Sequence, residues 1–307
     1  MLNLPNRKIS LAVSLIAILT IPFAGCRDSN NVGQVDTSNT GNIGPPAKKR
    51  PKYNKGTRSI DSSDWELVWS DEFDGEALDL EKWKFQTGAS GWGNKEWQNY
   101  TKGDNVEVSD GIMKIIARKT GAGQKVGDYT STRLNSKYSF TYGKVEVRAK
   151  MPDLKGNGLW PAIWMLGDSL KTAGWPACGE IDIVEYLSWR HDKVSSALHT
   201  KANNHKINTQ IETEPIPLET AEEEFHVYGL EWDETQINIF IDDETKPTLT
   251  FDRPKDFTDA NWPYDKPHHI LINLAVGGWG GTKGVDDSIF PSHMEVDYVR
   301  VYQPKKN

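Results

Sequence analysis

An all-β sandwich, a jelly roll built from two antiparallel sheets, is the fold class that this sequence of 307 residues predicts. Short runs rich in Val, Ile, Tyr and Trp recur from residue 65 onward with turn signals between them, and no long amphipathic helical pattern interrupts them. One run, residues 144–151, alternates cleanly: Val145, Val147 and Ala149 share a face, while Lys144, Glu146, Arg148 and Lys150 share the other.

In chain order the predicted strands are WELVWSDEF from residue 65, VEVSDGIMKIIARK from 106, YGKVEVRAKM from 142 and GEIDIVEYL from 179. HVYGLEWD from 226, INIFIDD from 237, HHILINLAV from 268 and MEVDYVRVYQ from 294 complete the set. Each is dense in β-branched or aromatic residues, and Asp, Gly and Pro punctuate the intervals. With 37% hydrophobic residues, 12 Trp, 10 Tyr and 9 Phe, the chain has material for one large core and a surplus of flat rings. Flat apolar rings are stacking surfaces for sugars.

The first 25 residues read as an export signal: Arg7 and Lys8, an apolar stretch from Ile9 to Phe23, then small residues before Cys26. The ending FAGC resembles the lipobox of bacterial lipoproteins, which makes Cys26 the lipidated mature N-terminus and the protein an exported lipoprotein of the cell envelope, on the outer membrane or cell surface. Residues 26–63 are polar and rich in Asn, Gly, Ser, Thr and Pro, the composition of a flexible tether. Its KKRPK cluster suits an anionic membrane surface better than nucleic acid, which an export signal argues against. The first 58 residues hold 9 Lys and Arg against 2 Asp and Glu, so the chain's formal charge of −7 becomes about −14 for the rest. An acidic domain of this kind disfavours polyanions. Cys26 and Cys178 are the only cysteines, so no disulfide framework exists.

The stretch GEIDIVEY, residues 179–186, sets Glu180, Asp182 and Glu185 in an otherwise apolar run. Regular alternation puts Glu180 and Asp182 on one face and Glu185, three positions beyond Asp182, on the other. Either Glu185 is a lone outward charge or the strand is re-phased. Glycine-rich phosphate loops, HExxH and GxSxG are absent, so any chemistry belongs to the acids.

Four stretches carry a family resemblance: GLWPAIWMLG at 158–167, WPACGEIDIVEY at 175–186, SALHT at 196–200 and LAVGGWGG at 274–281. Together they resemble glycoside hydrolase family 16, most closely its laminarinase-like bacterial endo-β-1,3-glucanases, over residues 64–304. The resemblance implies a concave substrate cleft and a β-bulge between Asp182 and Glu185 that returns Glu185 to the face of the other two acids. It also implies Glu180 as nucleophile, Glu185 as general acid/base and Asp182 as the residue that tunes them. A retaining glycosidase needs two such carboxyls, about 5–5.5 Å apart, one ionised and one protonated.

By the same resemblance Trp160, Trp164, Trp175 and Trp279 form sugar platforms, and Asn94, Arg133 and His199 hold the substrate. Catalysis then needs no cofactor. A structural calcium ion is expected at Glu72, Gly111 and the Asp297 carboxylate, a set of oxygen ligands that suits this cation. The implied partner is a neutral β-glucan, β-1,3-linked or also mixed-linked, cleaved by a monomer. Rival readings are a galactan hydrolase of the same family, a glucan-binding module without activity, and a cation site at the three acids. Lys171 and Arg190 are the basic residues near the motif that a sulfated galactan would need.

Overall fold

The computed structural model describes residues 64–305. Cys26, the export segment and the tether lie outside the described residues. The strands β1 (Trp65–Asp71), β2 (Trp83–Gln86), β3 (Gln98–Tyr100), β4 (Val106–Ser109), β5 (Ile112–Lys119), β6 (Tyr129–Ser131), β7 (Arg133–Phe140), β8 (Gly143–Lys150) and β9 (Leu159–Gly167) precede one helical turn, α1 (Leu170–Ala173). After it come β10 (Glu180–Tyr186), β11 (Lys193–His199), β12 (Ile211–Glu212), β13 (Ile216–Pro217), β14 (His226–Trp232), β15 (Gln236–Ile241), β16 (Leu249–Asp252), β17 (His268–Val276) and β18 (Ser292–Pro304).

They form the expected two sheets. One has the order β16-β15-β14-β8-β18-β5-β6-β3, with β1 beside β18 and β4 beside β5; the other runs β12-β11-β10-β9-β17-β7-β2, with β13 beside β11. Among the described residues the pairings are antiparallel apart from β3 with β6. The core lies between the sheets. From β8 come Val145, Val147 and Ala149, and from β17 Ile270, Ile272, Leu274 and Val276, all fully buried. Each fully buried Val, Ile or Leu side chain contributes about 1.5–3 kcal/mol, enough to fix which face of every strand turns inward.

Several strands of the second sheet escape the sequence reading as strands, the long β7, β9 and β11 among them. In β7 and β11 the polar residues Asn135, Ser136, Ser195 and Ser196 are buried and blur the expected alternation, whereas β9 is apolar on both faces and so shows none. The run VEVSDGIMKIIARK is a hairpin, β4 and β5, turning at Asp110 and Gly111, whose φ angles of 54° and 75° fit a tight two-residue turn.

Candidate active site

The bulge is where the spacing of the acids requires it. Across β10 and β11, Asp182 faces Ala197 while Glu185 faces Ser195, so two residues of β10 intervene against one of β11. The same slip appears against β9, where Asp182 faces Trp164 and Val184 faces Ile163. Ile183 and Val184 both turn into the core, and Glu180, Asp182 and Glu185 all emerge on the opposite face. Glu185 is therefore not a lone outward charge.

The acids stand in a cleft of about 710 Å³ on the second sheet. Asn94, Arg133, Trp160, Trp164, Trp175, His199 and Trp279 line it with them, so the candidate substrate contacts converge on one place. The alternation of the neighbouring strands explains this. Trp160, Ala162, Trp164 and Leu166 on β9, Ala197 and His199 on β11, and Asn273 and Ala275 on β17 face the cleft, while the residues between them fill the core.

Each outer acid is held by an indole. Trp175 Nε1 donates to Glu180 Oε2 at 2.9 Å, and Trp160 Nε1 donates to Glu185 Oε1 at 3.0 Å. His199 Nε2 sits between the other two groups, 3.3 Å from Asp182 Oδ2 and 3.9 Å from Glu180 Oε1. Burial pushes the Glu180 carboxyl up to about 8; the Asp182 charge adds to this, and His199, the Trp175 N–H and Arg133 oppose it. Asp182 and Glu185 are also raised, burial being the first cause for both and Asp182 the second for Glu185. Packed carboxyls that cannot all ionise keep protons at neutral pH, so one group can attack while another donates a proton.

Glu180, Asp182 and His199 are also the residues that could converge on a cation, their ligand atoms lying within 4.8 Å of one another. His199 Nε2 faces both carboxylates, at 3.3 Å from Asp182 and 3.9 Å from Glu180.

The aromatic residues differ in what they offer. Trp279 is 37% exposed and meets Trp160 edge-on at 5.9 Å. It rides on a loop in which Gly277 and Gly278 have φ of 79° and 54°; a Cβ at Gly277 would stand 2.8 Å from Trp97. Trp164 is buried, its Nε1 donating to Asn273 Oδ1 at 2.8 Å, and its ring carries the Arg133 guanidinium at 4.7 Å rather than standing free. Trp92 covers Arg133 on another side at 4.8 Å, and Gln86 accepts from its Nε. Cys178 is fully buried, and burial raises its thiol to about 11, which makes it inert filler.

Trp92, Glu96, His205, Lys206 and Asn273 line the cleft and were not singled out from the sequence. Lys171 is exposed and does not line it, while Lys206 does, stacked on Trp175 at 4.7 Å; Arg190 lies 5.8 Å from the Trp279 ring. The expected calcium positions lie side by side by register, since Asp71 pairs with Val299 and Met113 with Val296. Their side chains are otherwise engaged: Glu72 accepts two bonds from Arg300, at 3.0 and 2.8 Å, and the Asp297 carboxylate meets the Arg148 guanidinium. Among these three positions the fit for a cation therefore rests on main-chain oxygens.

A bulged strand carrying E-x-D-x-x-E in a tryptophan-lined cleft matches the family described as Glycosyl hydrolases family 16 over residues 93–300. The chain belongs to glycosyl hydrolase family 16. Within the family it is 45% identical over 257 residues to a beta-glucanase of Rhodothermus marinus, covering 80% of this chain and 88% of that protein. It is 36% identical over 254 residues to a glucan endo-1,3-beta-glucosidase of Cryptopygus antarcticus, covering 77% of this chain and 91% of the other. Among solved structures, a Flavobacterium laminarinase superposes with a TM-score of 0.70 at 42% identity, over 78% of this chain and all (100%) of that one. The Flavobacterium laminarinase shares the fold of the described domain.

Proposed function

We propose that this glycosidase cleaves internal β-1,3 linkages of a laminarin-type glucan with retention of configuration. Three carboxyls brought to one cleft by the β10 bulge are the observation that carries the chemistry. The family pattern makes Glu180 the nucleophile; burial raises its carboxyl, and His199 and the Trp175 N–H oppose that rise. Glu185 gives its proton to the leaving oxygen as the glycosidic C–O bond breaks and Glu180 bonds to the anomeric carbon. Water then attacks that carbon, Glu185 takes the water's proton, and Glu180 leaves as carboxylate. Asp182 holds a proton or a charge between them and sets how readily its neighbours ionise.

The substrate reading is supported by the names the relatives bear and by the wall of Trp160, Trp175 and Trp279. The cleft's cations, Arg133 and Lys206, are stacked on Trp rings, and Glu96 and Glu212 share the lining, so a neutral chain fits better than a polyanion. Release of reducing ends from laminarin, mixed-linked glucan, agarose and carrageenan tests this. Laminarin is expected to be fastest; faster release from agarose or carrageenan would assign the enzyme to galactans instead.

Two readings outside the catalytic centre are proposed with it. Lipid at Cys26 would anchor the exported monomer at the cell envelope, supported by the FAGC sequence and the polar tether; Cys26→Ser should move the protein out of the detergent phase. A calcium ion held mainly by main-chain oxygens near Glu72, Gly111 and Asp297 would tie β1, β5 and β18 together; a chelator should then lower the melting temperature.

A further inference from the structure

Glu96 is a carboxylate in the cleft wall, 3% exposed, that takes no part in the chemistry above. Its surroundings fix its role. The main-chain N–H of Val276, which can only donate, reaches Gln98 Oε1 at 2.7 Å. The Gln98 NH2 is thereby turned the other way and donates to Glu96 Oε2 at 2.6 Å. The Tyr100 hydroxyl donates to the same oxygen at 3.1 Å, and Asn94 Nδ2 donates to Glu96 Oε1 at 3.2 Å. Glu96 thus receives hydrogen bonds on both oxygens, and the amide nitrogen of Asn94 is drawn inward. With the amide nitrogen turned toward Glu96, the Asn94 carbonyl oxygen, an acceptor, is the group it can turn toward the cleft it lines.

We propose that Glu96 is a positioning residue, which locks the Asn94 amide so that Oδ1 accepts a hydroxyl of the bound glucan. The inference rests on the glucan reading of the cleft. A chain of hydrogen bonds runs from the β17 backbone through Gln98 to the accepting Glu96 carboxylate and on to Asn94, so the orientation is set before substrate arrives. Burial holds the Glu96 carboxyl above the ordinary range, while its hydrogen bonds and the Arg133 charge favour the ionised, acceptor-only form.

A reciprocal pair of substitutions separates this from mere structural support. In Glu96→Gln the new amide must keep its oxygen toward Gln98 and Tyr100, so its NH2 meets Asn94 and turns the Asn94 amide over, presenting a donor to the sugar. Asn94→Asp alone sets two carboxylates against each other. In the double variant the amide donates to the new carboxylate, and an acceptor faces the cleft again. On laminarin, each single variant should raise KM about tenfold with kcat within about threefold of wild type, and the double variant should return KM to within about threefold. An unchanged KM for Glu96→Gln, or a double variant as poor as the worse single one, would overturn the proposal. Should Glu96→Gln fail to fold, Asn94→Asp against the double variant still decides. Wild-type turnover of laminarin is the control: its absence sinks the glucan reading, whereas turnover without reciprocal rescue sinks the role of Glu96 alone.

Discussion

Trp160 donates its indole N–H to Glu185 at 3.0 Å while its ring meets Trp279 edge-on at 5.9 Å. One residue therefore belongs both to the cleft wall and to the electrostatics of the acid. The N–H favours the ionised form of Glu185 against the burial that raises it. Trp160→Phe keeps an aromatic ring and removes the donor, so Glu185 should hold its proton to higher pH. The basic limb of the kcat/KM profile should move toward alkaline pH; a shift toward acid would show that the hydrogen bond does not act on the acid.

Asp182 works in the opposite sense. Its charge raises both Glu180 and Glu185. Asp182→Asn removes that repulsion, so both neighbours should ionise at lower pH, the basic limb should move toward acid, and the rate near neutrality should fall. An unmoved profile would count against Asp182 as the tuning group.

The raised carboxyls also cost stability. Glu180 rises from an ordinary 4.5 to about 8, so the folded chain binds its proton more tightly than the unfolded chain does. The stability contributed is complete below about 4.5 and is lost as pH rises through about 8. Glu180→Gln should therefore melt above wild type at pH 9, with the gap closing toward pH 4. A gap of constant size across that range would contradict the shift.

The acids themselves were legible because chemistry and spacing conflict in GEIDIVEY: Glu185 is out of phase unless the strand bulges, and the register slips where that conflict predicts. About half of the strands were legible, from β-branched and aromatic runs and, in β8, from two-residue alternation. β11 was harder, because Ser195 and Ser196 are polar yet buried, Ser196 donating to the Ile183 carbonyl, and together they mimic a loop composition. Glu96, Trp92 and Asn273 carried no local signal; Asn273 sits in the apolar run of β17, and its role appears only when Trp164 is found 2.8 Å away. The calcium positions came out adjacent in register, yet the arginines that take the Glu72 and Asp297 side chains lie far from Glu72 or across strands, and sequence separation hides such pairs.

The bulge makes a prediction of its own. Deleting Val184 removes the extra residue and leaves Glu180, Asp182 and the last Glu at alternate positions of a regular strand, with pairing on either side intact. Deleting Ile181 instead turns Glu180 toward the core. The Val184 deletion should retain measurable hydrolysis and the Ile181 deletion none; equal loss in both would mean that the bulge does more than re-phase the strand.

Glu180→Ala and Glu185→Ala should each lower kcat by orders of magnitude while oligosaccharide binding persists, since the aromatic wall is untouched. Azide should restore turnover to one of them by replacing the missing group, and near-wild-type activity in either would contradict the assigned roles. The Trp279→Ala variant should lose affinity for polymer more than it loses kcat, because the ring lies at the exposed edge of the cleft.

The proposed mechanism has Glu180 and Glu185 act in two successive displacements on a β-1,3-glucan. Proton NMR of laminarin in the first minutes of hydrolysis, before mutarotation, reads the configuration of each new reducing end directly. Retention predicts that the β-anomer appears first and the α-anomer grows in only as the sugars equilibrate. Initial accumulation of the α-anomer would show a single displacement by water and contradict a nucleophilic Glu180.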